Sequence, residues 1–153
     1  NRHEKREKGM SAKIRTSGFL AGLVTLTALA VPLTAAPAEA RSWVDRPETT
    51  CTDLRTVRQV AVNGRTVELR AGVCGDGTYG WGRLRGFKRG DYLRFEVDLN
   101  GDRRPDLAKV RRARFHNHTP GYRTHWSEDR AFRACVVIRP TSKCNHSNST
   151  AWW

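Results

Sequence analysis

The stretch Asp98-Leu-Asn100-Gly-Asp102-Arg-Arg104-Pro-Asp106 sets oxygen-bearing side chains at positions one, three, five and nine of one loop, with the Arg104 carbonyl at position seven. A hard cation such as calcium is bound by several such oxygens at this kind of spacing. Lys109 stands at position twelve, where a calcium loop carries a bidentate glutamate. The neighbouring arginines offer the other outcome, an ion-paired turn in which a guanidinium takes the place of the metal. A second set is His116-Asn117-His118. Residues two apart on a strand share a face, so both imidazoles could meet one transition metal together with His125. The same three histidines are the starting point for any hydrolysis, one of them acting as base with Glu128 or Asp129 as its carboxylate partner. A third set is aromatic: Trp126, Trp152 and Trp153 could stack on sugar rings as an exposed binding surface, with a docked tail as the other reading of the terminal Trp152-Trp153 pair, whereas Trp81 reads as core.

These groups need a scaffold, and the pattern for it is β. Arg58–Val62 and Arg65–Arg70 alternate around Asn63-Gly64, a pair suited to a two-residue hairpin turn in which both positions need positive φ. Cys74–Gly80 is glycine-rich, but it lacks the Lys-Ser or Lys-Thr of a phosphate loop and is expected to be a turn before a short strand at 81–85. In Tyr92–Leu99 the residues Leu93, Phe95, Val97 and Leu99 fall on one face and Arg94, Glu96 and Asp98 on the other, the period of a half-buried strand. Further strands are expected at 107–115 and 131–139, followed by a polar tail. No convincing helical period interrupts them, so the chain is predicted to be all-β, a small antiparallel sandwich or barrel.

Upstream, Lys13 and Arg15 precede an uncharged apolar run from Phe19 to Val31, then Pro32, then Ala38-Glu-Ala40. This is the layout of a secretory signal peptide over residues 10–40, cleaved after Ala40. Residues 1–9 precede Met10 and resemble a translated ribosome-binding site, an extension upstream of the expected start. Cleavage leaves 113 residues: a flexible arm at 41–50 and one domain at 51–153. All four cysteines, Cys51, Cys74, Cys135 and Cys144, lie in that part, an even number that in an exported chain reads as two disulfides. Three pairings are open, and the sequential one closes the shortest loops. The same part holds 22 of the chain's 28 Lys and Arg and 12 of its 15 Asp and Glu, a formal net charge of +10. Such a charge draws polyanions over long range, and it also keeps a secreted protein in solution.

Cys51-Thr-Asp53, Thr56-Val57, Val67-Glu68-Leu69-Arg70, Cys74 and Trp81-Gly-Arg83-Leu84 together resemble a group of small secreted actinobacterial proteins of uncharacterised function, which share a Val-Glu-Leu-Arg, Cys, Trp-x-Arg order after an upstream cysteine. The resemblance implies a disulfide between Cys51 and Cys74 and assigns no catalytic residue. Locally, 98–107 resembles the calcium loop of integrin-type propeller and bacterial adhesion repeats, with Arg103 where those repeats have glycine.

The expected function is that of a secreted, extracellular, non-enzymatic module that binds an anionic cell-wall polymer, glycan or other polyanion, with one structural calcium. The alternatives are a small hydrolase, such as a nuclease, using histidines, and a cationic inhibitor or antimicrobial protein.

Overall fold

The computed structural model describes residues 42–153, so the upstream extension and the signal peptide expected over residues 1–40 lie outside the described residues. The elements run β1 (Trp43–Val44), α1 (Pro47–Thr50), β2 (Thr52–Val62), β3 (Arg65–Cys74), β4 (Gly77–Arg85), β5 (Tyr92–Asp98), β6 (Leu107–Arg112), β7 (Gly121–Arg123) and β8 (Ala131–Val137). They form two antiparallel sheets, five strands in the order β1-β7-β4-β3-β2 and three in the order β6-β5-β8. The all-β expectation holds, and the architecture is two sheets face to face.

Alternation explains the core. Val67 and Leu69 of β3 and Leu84 of β4 meet Leu93, Phe95 and Val97 of β5 and Phe132, Ala134 and Val136 of β8 in one apolar cluster. Gly80 and Gly82 share the inward face of β4. A Cβ at Gly80 would come within 3.0 Å of the Phe132 ring, and one at Gly82 within 3.1 Å of the Ala134 methyl. Glycine at these two positions is what lets β8 settle onto β4. The Asn63-Gly64 hairpin is present with both residues at positive φ (50° and 77°), as the sign of the sheet twist requires.

Several boundaries differ from the sequence expectation. β4 starts at Gly77, so the glycine-rich stretch is mostly strand rather than loop. The arm read as flexible over 41–50 is held from residue 43 onward: Trp43 and Val44 pair with β7, and Pro47–Thr50 form one helical turn with Pro47 buried. Local propensity gave little sign of either, because two residues of strand and four of helix are fixed by what they pack against. The polar face assigned to β5 is not wet, since Glu96 and Asp98 are both 0% exposed. Finally, the C-terminal tail runs beside β8: Val136 N–H donates to the Asn148 carbonyl (3.1 Å), Thr150 N–H to that of Ala134 (2.9 Å), and Phe132 and Trp153 exchange two backbone bonds (2.8 and 2.9 Å). The tail thereby satisfies a sheet edge that would otherwise be open.

Two disulfides close the frame, Cys51–Cys74 and Cys135–Cys144, and the described residues contain no free cysteine. None of the described residues forms a helix long and apolar enough to cross a membrane.

Candidate functional site

Each sheet has an outer face turned away from the shared core. On β3 and β4 the register sets Glu68 opposite Arg83 and Arg70 opposite Trp81. Helix α1 lies over them through Glu48. Its Oε1 accepts from Trp81 Nε1 (2.8 Å) and Arg70 Nε (3.2 Å), and its Oε2 from Arg83 Nη1 (3.3 Å). Arg83 Nε also donates to Glu68, and Arg70 Nη1 to the Thr56 hydroxyl (2.8 Å). The residues that carry the Val-Glu-Leu-Arg and Trp-x-Arg pattern therefore divide by parity: Val67 and Leu69 go to the core, while Glu68, Arg70, Trp81 and Arg83 build this polar layer. Cys51, Cys74, Tyr79 and Trp81 form a small apolar cluster beside it.

On the other sheet Glu96 accepts from Arg94 Nε (2.6 Å) and Arg133 Nε (2.7 Å), and the Trp152 ring lies 4.5 Å from the Arg133 guanidinium carbon. Both carboxylate oxygens are satisfied. The terminal tryptophans assigned to a binding surface are thus partly structural: Trp153 packs on the main core, its ring centroid 5.9 Å from that of Phe132, and Trp152 lies against Arg133. Trp126 remains outward, 91% exposed, with the His125 ring 5.1 Å away.

The 98–106 loop makes its own ligands. Asp98 Oδ1 accepts from the backbone N–H groups of Asn100 (3.0 Å) and Gly101 (2.8 Å), and its Oδ2 from Arg103 N–H (2.9 Å) and Arg103 Nη1 (3.2 Å). Asn100 and Asp102 each accept from the backbone two residues on, and Asp106 Oδ2 accepts from Leu99 N–H (2.6 Å). Burial alone would raise the Asp98 carboxyl, but the bonds from Arg103, Asn100 and Gly101 hold it below the ordinary aspartate range. Arg103 has φ 59°, the left-handed conformation usually given to glycine. Among the described residues no three His, Cys, Asp or Glu side chains converge enough to hold a metal ion. In this arrangement Asp98, Asn100, Asp102, Asp106 and the Arg104 carbonyl do not fit a calcium cage, because Asp98 is already filled by backbone donors and by a cation of the chain itself.

The histidines divide between two cavities. His125 Nδ1 pairs with the Ser127 hydroxyl (3.0 Å) and lines a groove with Arg123, Thr124, Trp126 and Arg130. Among the described residues neither Glu128 nor Asp129 accepts a hydrogen bond from a histidine. His116 and His118 lie together, ring centroids 6.3 Å apart, in a separate cleft of about 260 Å³ lined by Asp45, Arg46, Arg111 and the two imidazoles. The backbone around His118 is fixed by β4, with Leu84 N–H donating to the Asn117 carbonyl (2.7 Å) and Thr119 N–H to that of Gly82 (2.9 Å). Burial lowers the His118 pKa below its ordinary value. Glu48 opposes that shift, while His116, Arg111 and Arg46 reinforce it.

This cleft adjoins a larger groove of about 750 Å³ that shares Asp45 and Arg46 and continues past Trp43 and Tyr79 to Cys74. Arg46 and Arg111 were not distinguishable in the sequence among many arginines, since nothing local marks a guanidinium that will be left without an acid. Comparisons with protein-family models, curated proteins and solved structures return no match to this chain.

Proposed function

We propose that this chain is an exported extracellular module that binds an anionic polymer surface, such as an anionic cell-wall polymer or glycan, without catalysis. One observation carries the reading, the unequal placement of charge. Glu48, Glu68, Asp91, Glu96 and Asp98 are drawn inside and paired with arginine, each with no more than 16% of its side chain exposed. Of the 21 Lys and Arg in residues 42–153, thirteen are in no ion pair among the described residues, against six of the 12 Asp and Glu. Among the unpaired groups cations outnumber anions 13 to 6, a higher ratio than the 21 to 12 of residues 42–153 as a whole, so the charge left without a partner is predominantly guanidinium and ammonium. Unpaired surface cations attract polyanions and release their counterions on contact. Two disulfides suit the oxidising exterior.

The histidine hydrolase is the second reading, resting on His116 and His118 sharing one cleft with two guanidiniums. Sedimentation with purified cell wall separates the two. The binding module pellets with the wall at low salt, is released by salt, and leaves the polymer uncut. Cleavage of the polymer that a His118→Gln variant abolishes while keeping its fold would establish the hydrolase instead.

A further inference from the structure

The cleft between the approach to α1, the end of β6 and the 116–118 segment differs from the other grooves in being lined only by charged or titratable side chains. Arg46 and Arg111 enter it from different elements, and neither side chain makes an ion pair or hydrogen bond among the described residues. Unpartnered guanidiniums facing the same small cleft form an incomplete set of donors. The complement is an acceptor with several oxygens, and the His116 imidazole can supply a further N–H donor, while His118 Nδ1 already pairs with Asn117 Oδ1 at 3.2 Å.

Asp45 adds a second requirement. It lines the same cleft as an acceptor, so whatever enters must bring hydroxyl donors next to its anionic group. Asp45 and Arg46 also belong to the neighbouring 750 Å³ groove, which gives a chain of hydroxylated units room to continue past Trp43 and Tyr79. Those rings have no open faces for nucleobases. Trp43 is packed edge-on by Tyr122 at 4.7 Å and covered by the Lys109 ammonium at 5.0 Å, and Tyr79 is buried. A polymer with polyol or sugar units fits better than a nucleic acid.

The geometry points to a phosphodiester site here: Arg46, Arg111 and His116 grip the phosphate of a polyol- or sugar-phosphate polymer, His118 forms the wall beside it, and Asp45 accepts from a hydroxyl of the adjoining unit. This assignment rests on the anionic-surface reading and names the ligand class and the place where it is recognised. It makes one patch decisive, where a diffuse field would treat all outward arginines alike. Arg55 and Arg58 on β2 serve as the comparison, since both are exposed and neither lines the cleft.

The experiment is isothermal titration of the oxidised exported protein with poly(glycerol phosphate) and with single-stranded DNA of equal charge, in wild type, Arg46→Gln/Arg111→Gln and Arg55→Gln/Arg58→Gln, with Arg111→Gln alone as the measured variant if the double variant does not fold. The cleft variant is expected to lose about tenfold or more in affinity for poly(glycerol phosphate), as the loss of charged hydrogen bonds implies. The β2 variant is expected to lose no more than about threefold, the scale of screened surface charge. Inorganic phosphate added to wild type should shift the His116 and His118 ring signals before any other histidine. Equal losses in the two variants would overturn the cleft while leaving the anionic-surface reading intact. Tighter binding of DNA than of poly(glycerol phosphate) would overturn the ligand class. No binding of either polymer at low salt would overturn the site and the reading beneath it together.

Discussion

The outer faces of the two sheets use the same parts and reach different ends. On the three-stranded sheet Arg94 and Arg133 close on Glu96 under Trp152, next to the Cys135–Cys144 disulfide, and the C-terminal tail seals the edge of β8. On the five-stranded sheet Arg70, Arg83 and Trp81 close on Glu48, with Glu68 behind and the Cys51–Cys74 disulfide alongside, but the cover is a single helical turn. The short cover leaves a cleft beside it, where Arg46, Arg111, His116 and His118 gather with Asp45 and none of the four cationic or titratable bases is in an ion pair among the described residues. The difference teaches that a buried arginine–carboxylate layer here is a means of joining a loop or tail to a sheet. Under the proposed function, binding falls to groups that the layer does not absorb.

The largest expected effect tests whether the closed face is the firmer one. Glu96→Ala takes the carboxylate from the largely buried guanidiniums of Arg94 and Arg133, the second keeping only the Cys144 carbonyl and the Trp152 ring, and should cost about 3–5 kcal/mol of unfolding free energy, as when one member of a buried pair is removed. Glu48→Ala should cost less, about 1.5–3 kcal/mol, because Glu48 is partly exposed and Arg83 retains Glu68. Urea denaturation of both variants reads the contrast, and equal losses would erase it.

The disulfides come next. Replacing Cys135 and Cys144 by alanine removes a short loop closure worth about 3 kcal/mol and should also free the tail, visible as a change in Trp153 fluorescence before global unfolding. The Cys51/Cys74 double variant should lose a similar amount with no early tail signal, since that bridge ties α1 to β3 and lies away from the tail.

A smaller effect concerns the junction of the two sheets. The Arg65 guanidinium grips Asp91 at both oxygens (2.7 Å each), with the Lys88 N–H on Oδ2 (2.6 Å), and together these hold the Asp91 pKa below its ordinary value against the opposing effect of burial. The folded state therefore binds this proton less readily than the unfolded state. The stabilisation is complete above the ordinary aspartate pKa and is lost as pH falls through the lower folded value. Asp91→Asn should flatten the acid limb of the stability–pH curve, and an unchanged limb would assign the acid loss to other carboxylates.

The smallest effect is at the 98–106 loop. Because Arg103 and three backbone N–H groups already occupy Asp98, calcium is expected to leave the melting temperature unchanged relative to chelator, in wild type and in Asp102→Ala alike. A chelator-reversible rise in wild type that the variant lacks would show the loop reorganising around the ion.

Much of the fold was legible because strand parity and turn chemistry are local. Asn63-Gly64 named its hairpin, and the alternation in 92–99 named Leu93, Phe95 and Val97 as its inward face, whereas Leu99 lies past the end of β5 and is exposed. What parity could not tell is whether the other face is wet: Glu96 and Asp98 look like solvent-facing acids until the tail and the loop cover them. Trp152 and Trp153 could be read as a contact surface or a docked tail for the same reason, since the neighbour that Trp153 packs on, Phe132, lies far back in the sequence. At the site, His116 and His118 were found by type and spacing. Arg46 and Arg111 were hidden among many identical residues, and what sets them apart is that the fold brings both to the cleft that holds His116 and His118.

The most direct measurement is the affinity of the oxidised protein for poly(glycerol phosphate) as a function of salt. The account predicts binding at low salt that falls linearly on a log–log plot, with a slope reporting several released counterions, and a shallower slope in the Arg46→Gln/Arg111→Gln variant. An affinity absent at low salt, or one that salt does not change, would contradict it.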